Sequence, residues 1–378
     1  MQQGRRPLLA LIVAAAAVLA GCGGGDSAGP RVPISRVVVA GDSLADAGTF
    51  GARFTVQNAA DPAAGFPVFP QIVAQQFGVT GQCPFFVATS GTTFAPEGRA
   101  GCTSFAVGGG RIAGVSGPFS IPTQLARALQ EVGGLYREAD LVLVDGGGND
   151  AADLLRALLG GPAAYQNFLS RELDAATIAA TLAQPNGTAR AAVLYMRELA
   201  DTYYGAIKAN ALDRGATHVA VLDMPDVTLT PLAQAALRNV AQTPEANGGG
   251  PAAAANLRAL LQGAIDAFNA QLRTNVGNDG RVAVVPFNAD FTGYVTRPAD
   301  FGLTNVTTPA CAVVGITDFG TQNPGPCNSA ALDANAPAGL APGWWQSWVF
   351  SDGFHPTPFG HNLLAQTTRR ALVQAGWL

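Results

Sequence analysis

Three histidines occur in 378 residues, and two of them, His355 and His361, fall within VFSDGFHPTPFGH (Val349 to His361). Asp352 stands three residues before His355 across Gly353, so one turn can point both side chains the same way. A carboxylate so placed fixes the tautomer of an imidazole and stabilises its protonated form, which makes the histidine a proton acceptor. Such a base needs a nucleophile. Ser43, in GDSLADAG (Gly41 to Gly48), is the candidate, because a serine hydroxyl is a weak nucleophile until a base takes its proton. The competing account of Ser43 is a helix N-cap, with Asp46 three residues on making almost a capping box. Taken singly, Asp352 reads as a turn-former and His355 as a solvated loop histidine. Negative charge on an attacked carbonyl oxygen must also meet hydrogen-bond donors. Asn149, in Gly147-Gly148-Asn149-Asp150, could offer its amide, and the glycines of Phe105 to Gly110 (FAVGGG) offer unshielded backbone N–H groups. Their plainer roles are a helix cap and a turn. Asp150 suits a cap or a helix-dipole partner and is left out of the chemistry.

Other chemistries find little support. His361 falls in the first turns of a final helix and reads as solvated or packed, and His218 opens a strand. With no His-x-x-x-His and no close carboxylate cluster, no metal site is expected, and no cofactor is indicated. Lys208 is the single lysine, which nearly removes Schiff-base chemistry and excludes a Walker loop. A net charge of −4 with no basic cluster beyond the N-terminus argues against nucleic acid.

These residues need elements to hold them. At 48% apolar and 13% charged, the chain can bury a sizeable core. RVVVA (Arg36 to Ala40), LVLV (Leu141 to Val144), HVAVL (His218 to Leu222) and VAVVP (Val282 to Pro286) read as buried parallel strands. Helical spacing joins Val193, Met196, Ala200, Tyr203 and Ile207, with Gly215 as a stop, and again Leu257, Leu261, Ile265, Phe268 and Leu272. A last helix is expected from about Pro358 to Ala375. The alternation predicts an α/β sandwich on a mostly parallel sheet, which binds ligands at the carboxyl ends of its strands. Gln242 to Ala255 and Thr321 to Gly343 read as surface loops.

The N-terminus is set apart from this fold. Arg5 and Arg6 precede an apolar run, Leu8 to Leu19, of signal-peptide length, closing on Leu19-Ala20-Gly21-Cys22. This resembles a bacterial lipoprotein signal, with residues 1–21 removed, Cys22 lipidated and residues 22–34 a flexible tether to a domain over 35–378. The alternative is an ordinary secretory signal with a chance cysteine. No aspartate directly follows Cys22, so the resemblance implies an exported protein anchored in the cell envelope at the outer membrane. Four cysteines remain, an even number in an exported chain, which suggests two disulfides. Of three connectivities, Cys83–Cys102 with Cys311–Cys327 is expected, because the segments so closed are rich in Gly, Pro, Thr and Asn and need pinning.

GDSLADAG, FAVGGG, GGND and SDGFH (Ser351 to His355) occur in that order and resemble the four blocks of the GDSL/SGNH hydrolases. FPVFPQIVAQQFG (Phe66 to Gly78), DMPDVTLTP (Asp223 to Pro231), AFNAQL (Ala267 to Leu272) and FGLTNVTTPAC (Phe301 to Cys311) extend the resemblance over nearly the whole mature chain. It implies a three-layer α/β/α sandwich of flavodoxin-like type with a mostly parallel sheet, and a serine esterase or lipase acting on ester or lipid substrates. By the same resemblance Ser43 is nucleophile and backbone oxyanion donor, Gly108 and Asn149 are the other donors, and Asp352 and His355 complete the triad. The three glycines leave Gly108 and Gly109 open as the second donor. One departure is Ser104, where the family often has asparagine. A phospholipase, lysophospholipase or acyltransferase on the same residues is the nearest alternative. A non-catalytic envelope lipoprotein that kept the fold as a binding module is a third reading, weakened by chemically competent residues at every site position. The apolar segments Leu154 to Leu159 and Trp344 to Phe350 lie beside these blocks, as walls of an acyl groove or as core.

Overall fold

Short apolar runs ending near glycine can be buried on both faces only where helices cover both sides of a sheet. The computed structural model has this arrangement and describes residues 33–378 apart from Ala100 and Thr321. The expected export signal over 1–21 and Cys22 lie outside the described residues. In chain order the strands are β1 (Arg36–Ala40), β2 (Phe86–Ala88), β3 (Phe94–Pro96), β4 (Asp140–Val144), β5 (His218–Leu222) and β6 (Val282–Val285). Strands β2 and β3 form a small antiparallel pair, while the main sheet runs β1-β4-β5-β6 with every pairing parallel. A single parallel bridge from Val39 to Ser104 adds a fifth position beside β1. The Val39 N–H donates to Thr103 O (2.9 Å) and the Phe105 N–H to Val39 O (2.7 Å). The connection from β1 therefore goes first to one side, through Ser104, and then to the other, through β4. Open α/β sheets leave a crevice for ligands at such a reversal.

Strand alternation sends side chains into two helical layers. Val37, Val39, Leu141, Leu143 and Leu222 share a core with the helices Phe69–Gln76, Phe287–Thr296 and Pro358–Gln374. Val38, Val142, Val144, Val219 and Val221 pack with Ile121–Glu131, Gly148–Leu159, Gly187–Asn210 and Pro251–Val276. Fully burying each such side chain contributes roughly 1.5–3 kcal/mol. A third cluster gathers Trp344, Trp345 and Trp348 around Cys311 and Cys327. Both disulfides join the partners expected, Cys83–Cys102 and Cys311–Cys327. Among the described residues no helix is long and apolar enough to cross a membrane.

Three expectations need correction. Gln242 to Ala255 is not all loop, because the helix Pro251–Val276 starts inside it, with Gly250 in an extended positive-φ conformation that feeds Pro251 at the first position. Thr321 to Gly343 contains the helix Ser329–Ala334, capped by Asn328, which accepts the Ala331 N–H. Gly215 does not end the long helix, which stops at Asn210. It closes the following 3-10 turn, Leu212–Arg214, at φ 87°.

Candidate active site

The turn after β1 is shaped by buried carboxylates. The Asp42 carboxylate accepts the Leu44 N–H (3.0 Å), a local bond that bends the chain tightly around Ser43. Beneath it, Asp145 Oδ1 accepts the Asp42 N–H at 3.3 Å. Burial pushes the carboxyl of Asp42 up and that of Asp145 well up, the latter with the charge of Asp42 acting in the same direction. Asp46 is fully buried and is no helix cap. It accepts the N–H groups of Gly48, Thr49 and Gly108 at 2.7–2.8 Å and so ties the β1 turn to the triple-glycine loop. Ser104, the residue that departs from the family pattern, donates to Ala45 O (3.3 Å) and makes a second tie.

The final block arrives from the other end of the chain. Thr357 caps the last helix by accepting the Gly360 N–H, and Pro358 occupies its first turn, so the helix begins just after His355. The Asp352 Oδ1 accepts the N–H groups of Phe354 (2.8 Å) and His355 (2.6 Å), and Oδ2 accepts that of Phe319 (2.7 Å). Burial alone would raise this carboxyl, but the charge of His355 and these donors hold it below the usual range. It is therefore ionised, and His355 Nδ1, 2.8 Å from Oδ2, carries the proton. His355 Nε2 then faces Ser43 Oγ at 2.8 Å, across 312 residues of sequence. Burial works against the imidazolium, and Asp352 outweighs it, leaving the His355 pKa above its ordinary value. Ser43, His355 and Asp352 are thus brought together, each almost fully buried.

Asn149 lines the same cleft as Ser43. It does not cap its helix, since Gly147 (φ 94°) holds the N-cap position. Its Nδ2 donates to Gly110 O (3.0 Å) and, more weakly, to Asp42 Oδ2 (3.3 Å). Asp150 lies in the first turn and also acts as a tether, accepting the Ile112 and Ala113 N–H groups, with burial pushing its pKa up to about 7. The expectation for Gly108 needs correction, because its N–H is committed to Asp46. Gly109, at φ 80°, and Ser43 itself have backbone N–H groups with no acceptor among the described residues. Gly108 serves space instead: a Cβ there would lie 2.2 Å from the Phe54 ring. Gly108→Ala must push that ring off His355, so we expect near-normal denaturant stability with a reduced kcat, measurable by unfolding and ester kinetics on one preparation.

The cleft encloses about 720 Å³ and is walled by Phe50, Phe54, Phe119, Leu232, Phe319 and Phe354, with Arg111 and Arg156 on its rim. Of the two apolar segments singled out in the sequence, only Arg156 of Leu154 to Leu159 reaches it. Leu154 and Leu155 are core, and Val349 and Phe350 line a separate inner cavity of about 50 Å³. His361 is packed and neutral, its pKa pushed down to about 3 by burial, and its Nδ1 accepts the Phe69 N–H (3.3 Å). The site residues that sequence reasoning missed are Asp42, Asp46, Asp145, Phe54 and Phe319. For the last, the only available signal was an aromatic inside a Gly/Asn/Pro-rich segment closed by cysteines.

A hydrogen-bonded serine, histidine and aspartate thus sit at the strand switch point of an α/β/α sandwich, the place where open α/β folds hold their ligands. Residues 37–367 match the family described as GDSL-like Lipase/Acylhydrolase, and the chain belongs to it. Membership implies ester hydrolysis and ester or lipid substrates. None of the curated proteins compared with the chain matches it.

Proposed function

We propose that the protein is a carboxylic ester hydrolase working through an acyl-serine intermediate. The observation that carries this reading is the continuous relay Ser43 Oγ–His355 Nε2, His355 Nδ1–Asp352 Oδ2, both links at 2.8 Å. Ser43 Oγ attacks the ester carbonyl while its proton passes to His355 Nε2, and Asp352 stabilises the imidazolium. The N–H groups of Ser43 and Gly109 meet the developing oxyanion, and the Asn149 amide joins them by turning one hydrogen away from Asp42 Oδ2, the longer of its two bonds at 3.3 Å. His355 returns the proton to the departing alcohol, and water repeats the sequence on the acyl-serine. A fluorophosphonate probe should label Ser43 stoichiometrically in folded protein, as read by peptide mass. Absence of labelling would favour a binding module over an enzyme.

The aromatic walls support an apolar acyl or aryl group in the cleft. One observation favours a second reading, in which a phospholipid or lysophospholipid is the ester. Arg111 and Arg156 line the cleft and, with Arg171 beside them, converge on the single carboxylate of Asp153, which gathers guanidinium groups next to the cleft where a phosphate could pair with them. For location, the run Leu8 to Leu19 followed by Leu19-Ala20-Gly21-Cys22 supports export and envelope anchoring through Cys22. Palmitate should be incorporated in a bacterial host and lost in Cys22→Ser. Unlabelled wild-type protein would sink the anchor.

A further inference from the structure

His355 is held by more than its carboxylate. Three aromatic rings fence the imidazole: Phe54 at 5.1 Å, Phe354 edge-on at 5.7 Å, and Phe319 at 5.7 Å, tilted only 23° from its plane. Phe319 also donates its backbone N–H to Asp352 Oδ2, the oxygen that holds His355 Nδ1. One residue therefore touches both members of the pair, from a segment that none of the four sequence blocks contains.

That segment is closed by the Cys311–Cys327 disulfide, whose cysteines are both fully buried. Its first half is laced to the chain that carries the aspartate. The Ala310 N–H donates to Phe350 O (2.9 Å), the Cys311 N–H to Ser351 O (2.8 Å), and the Gly353 N–H to Thr317 O (2.9 Å). The Phe319 bond to Asp352 completes the series. Elsewhere the segment has little regular structure: a 3-10 turn at Ala310–Val314 and then bends. A loop of this kind holds one geometry only if something limits its freedom, and a covalent closure does so. Burial of both sulfurs marks a permanent staple, since thiol–disulfide exchange needs access to the bond.

We propose that the Cys311–Cys327 loop is a clamp on the Asp352–His355 pair and that Phe319 is its positioning residue. The Phe319 N–H sets the orientation of the carboxylate, and its ring keeps water from the imidazole. The inference rests on His355 being the base for Ser43.

The test uses the full chain and p-nitrophenyl butyrate, with kcat and KM followed across pH for Phe319→Ala, Phe319→Tyr and Cys311→Ala/Cys327→Ala. Loss of the ring or the staple should lower kcat about tenfold or more, as expected for a displaced catalytic group; KM should hold in the cysteine variant and rise in Phe319→Ala, which also removes a wall of the cleft. In Phe319→Ala water regains the imidazole, so the acid limb of kcat/KM should move to higher pH. Phe319→Tyr, which keeps ring and N–H, should restore both readouts. Wild-type kcat and an unmoved acid limb in Phe319→Ala would overturn the clamp, as would a lower kcat with no shift and no rescue by tyrosine. Phe319→Ala decides the matter if the cysteine variant does not fold. Ser43→Ala is assayed in parallel: residual wild-type activity there sinks the serine relay itself, whereas an inactive Ser43→Ala beside an unaffected Phe319→Ala sinks only the clamp.

Discussion

Under the proposed relay, Ser43→Ala is expected to lower kcat by on the order of 10⁴-fold or more, with KM nearly unchanged, because such a relay acts as a unit and fails when one member goes. A loss of that size is about 5.5 kcal/mol of transition-state stabilisation. Folding is affected far less. The substitution deletes one hydroxyl whose hydrogen bond to His355 contributes about 0.5–1.5 kcal/mol. The double variant Ser43→Ala/His355→Ala should be hardly slower than either single variant, since neither residue works without the other. Steady-state kinetics on purified variants with matched denaturation curves checks both statements. Independent, multiplicative losses would show that Ser43 and His355 do not belong to one relay.

The second large effect is on stability. Gly41→Ala should destabilise the fold by about 4 kcal/mol or more, the range reserved for overpacking that cannot relax. A Cβ at this position would sit 1.4 Å from Asp145 Oδ1 and 3.2 Å from the Asp145 backbone oxygen. The carboxylate has nowhere to retreat, being fully buried between β4 and the Ser43 turn. Gly41 cannot retreat either, because its N–H is held by Gln124 Oε1 at 2.7 Å and its carbonyl accepts the Val107 N–H at 3.2 Å. Urea unfolding measures the loss, and Asp145→Ala on the same background should recover part of it by opening space. A wild-type midpoint for Gly41→Ala alone would refute this packing account of the glycine.

The sheet was legible because its physics is local. A strand covered on both faces must be apolar at every position, so RVVVA, LVLV, HVAVL and VAVV betray themselves without knowledge of their partners. The long helices were legible for a similar reason, with Tyr203 and Phe268 falling on their buried stripes. The start of Pro251–Val276 was hidden because glycines and a proline ahead of an alanine run look the same in a loop as at a helix entry.

The histidine, its aspartate and the serine could be picked out as chemical types. The groups that hold them could not. Asp42, Asp46 and Asp145 look like surface carboxylates until the fold buries them against backbone donors. Choosing between Gly108 and Gly109 required knowing that Asp46, 62 residues earlier, already claims one of the two amides. Phe319 is the extreme case, because a ring in an irregular segment acquires meaning only from Asp352, 33 residues on.

The distance between Ser43 and His355 along the chain also governs when the protein becomes able to react. The proposed nucleophile lies near the start of the described chain, and its proposed base comes 312 residues later. During synthesis, everything up to the sixth strand can emerge before His355 is added. The growing chain is therefore chemically silent for most of its synthesis. An N-terminal fragment released by premature arrest carries a serine but no base, and has no means of cleaving the esters around it.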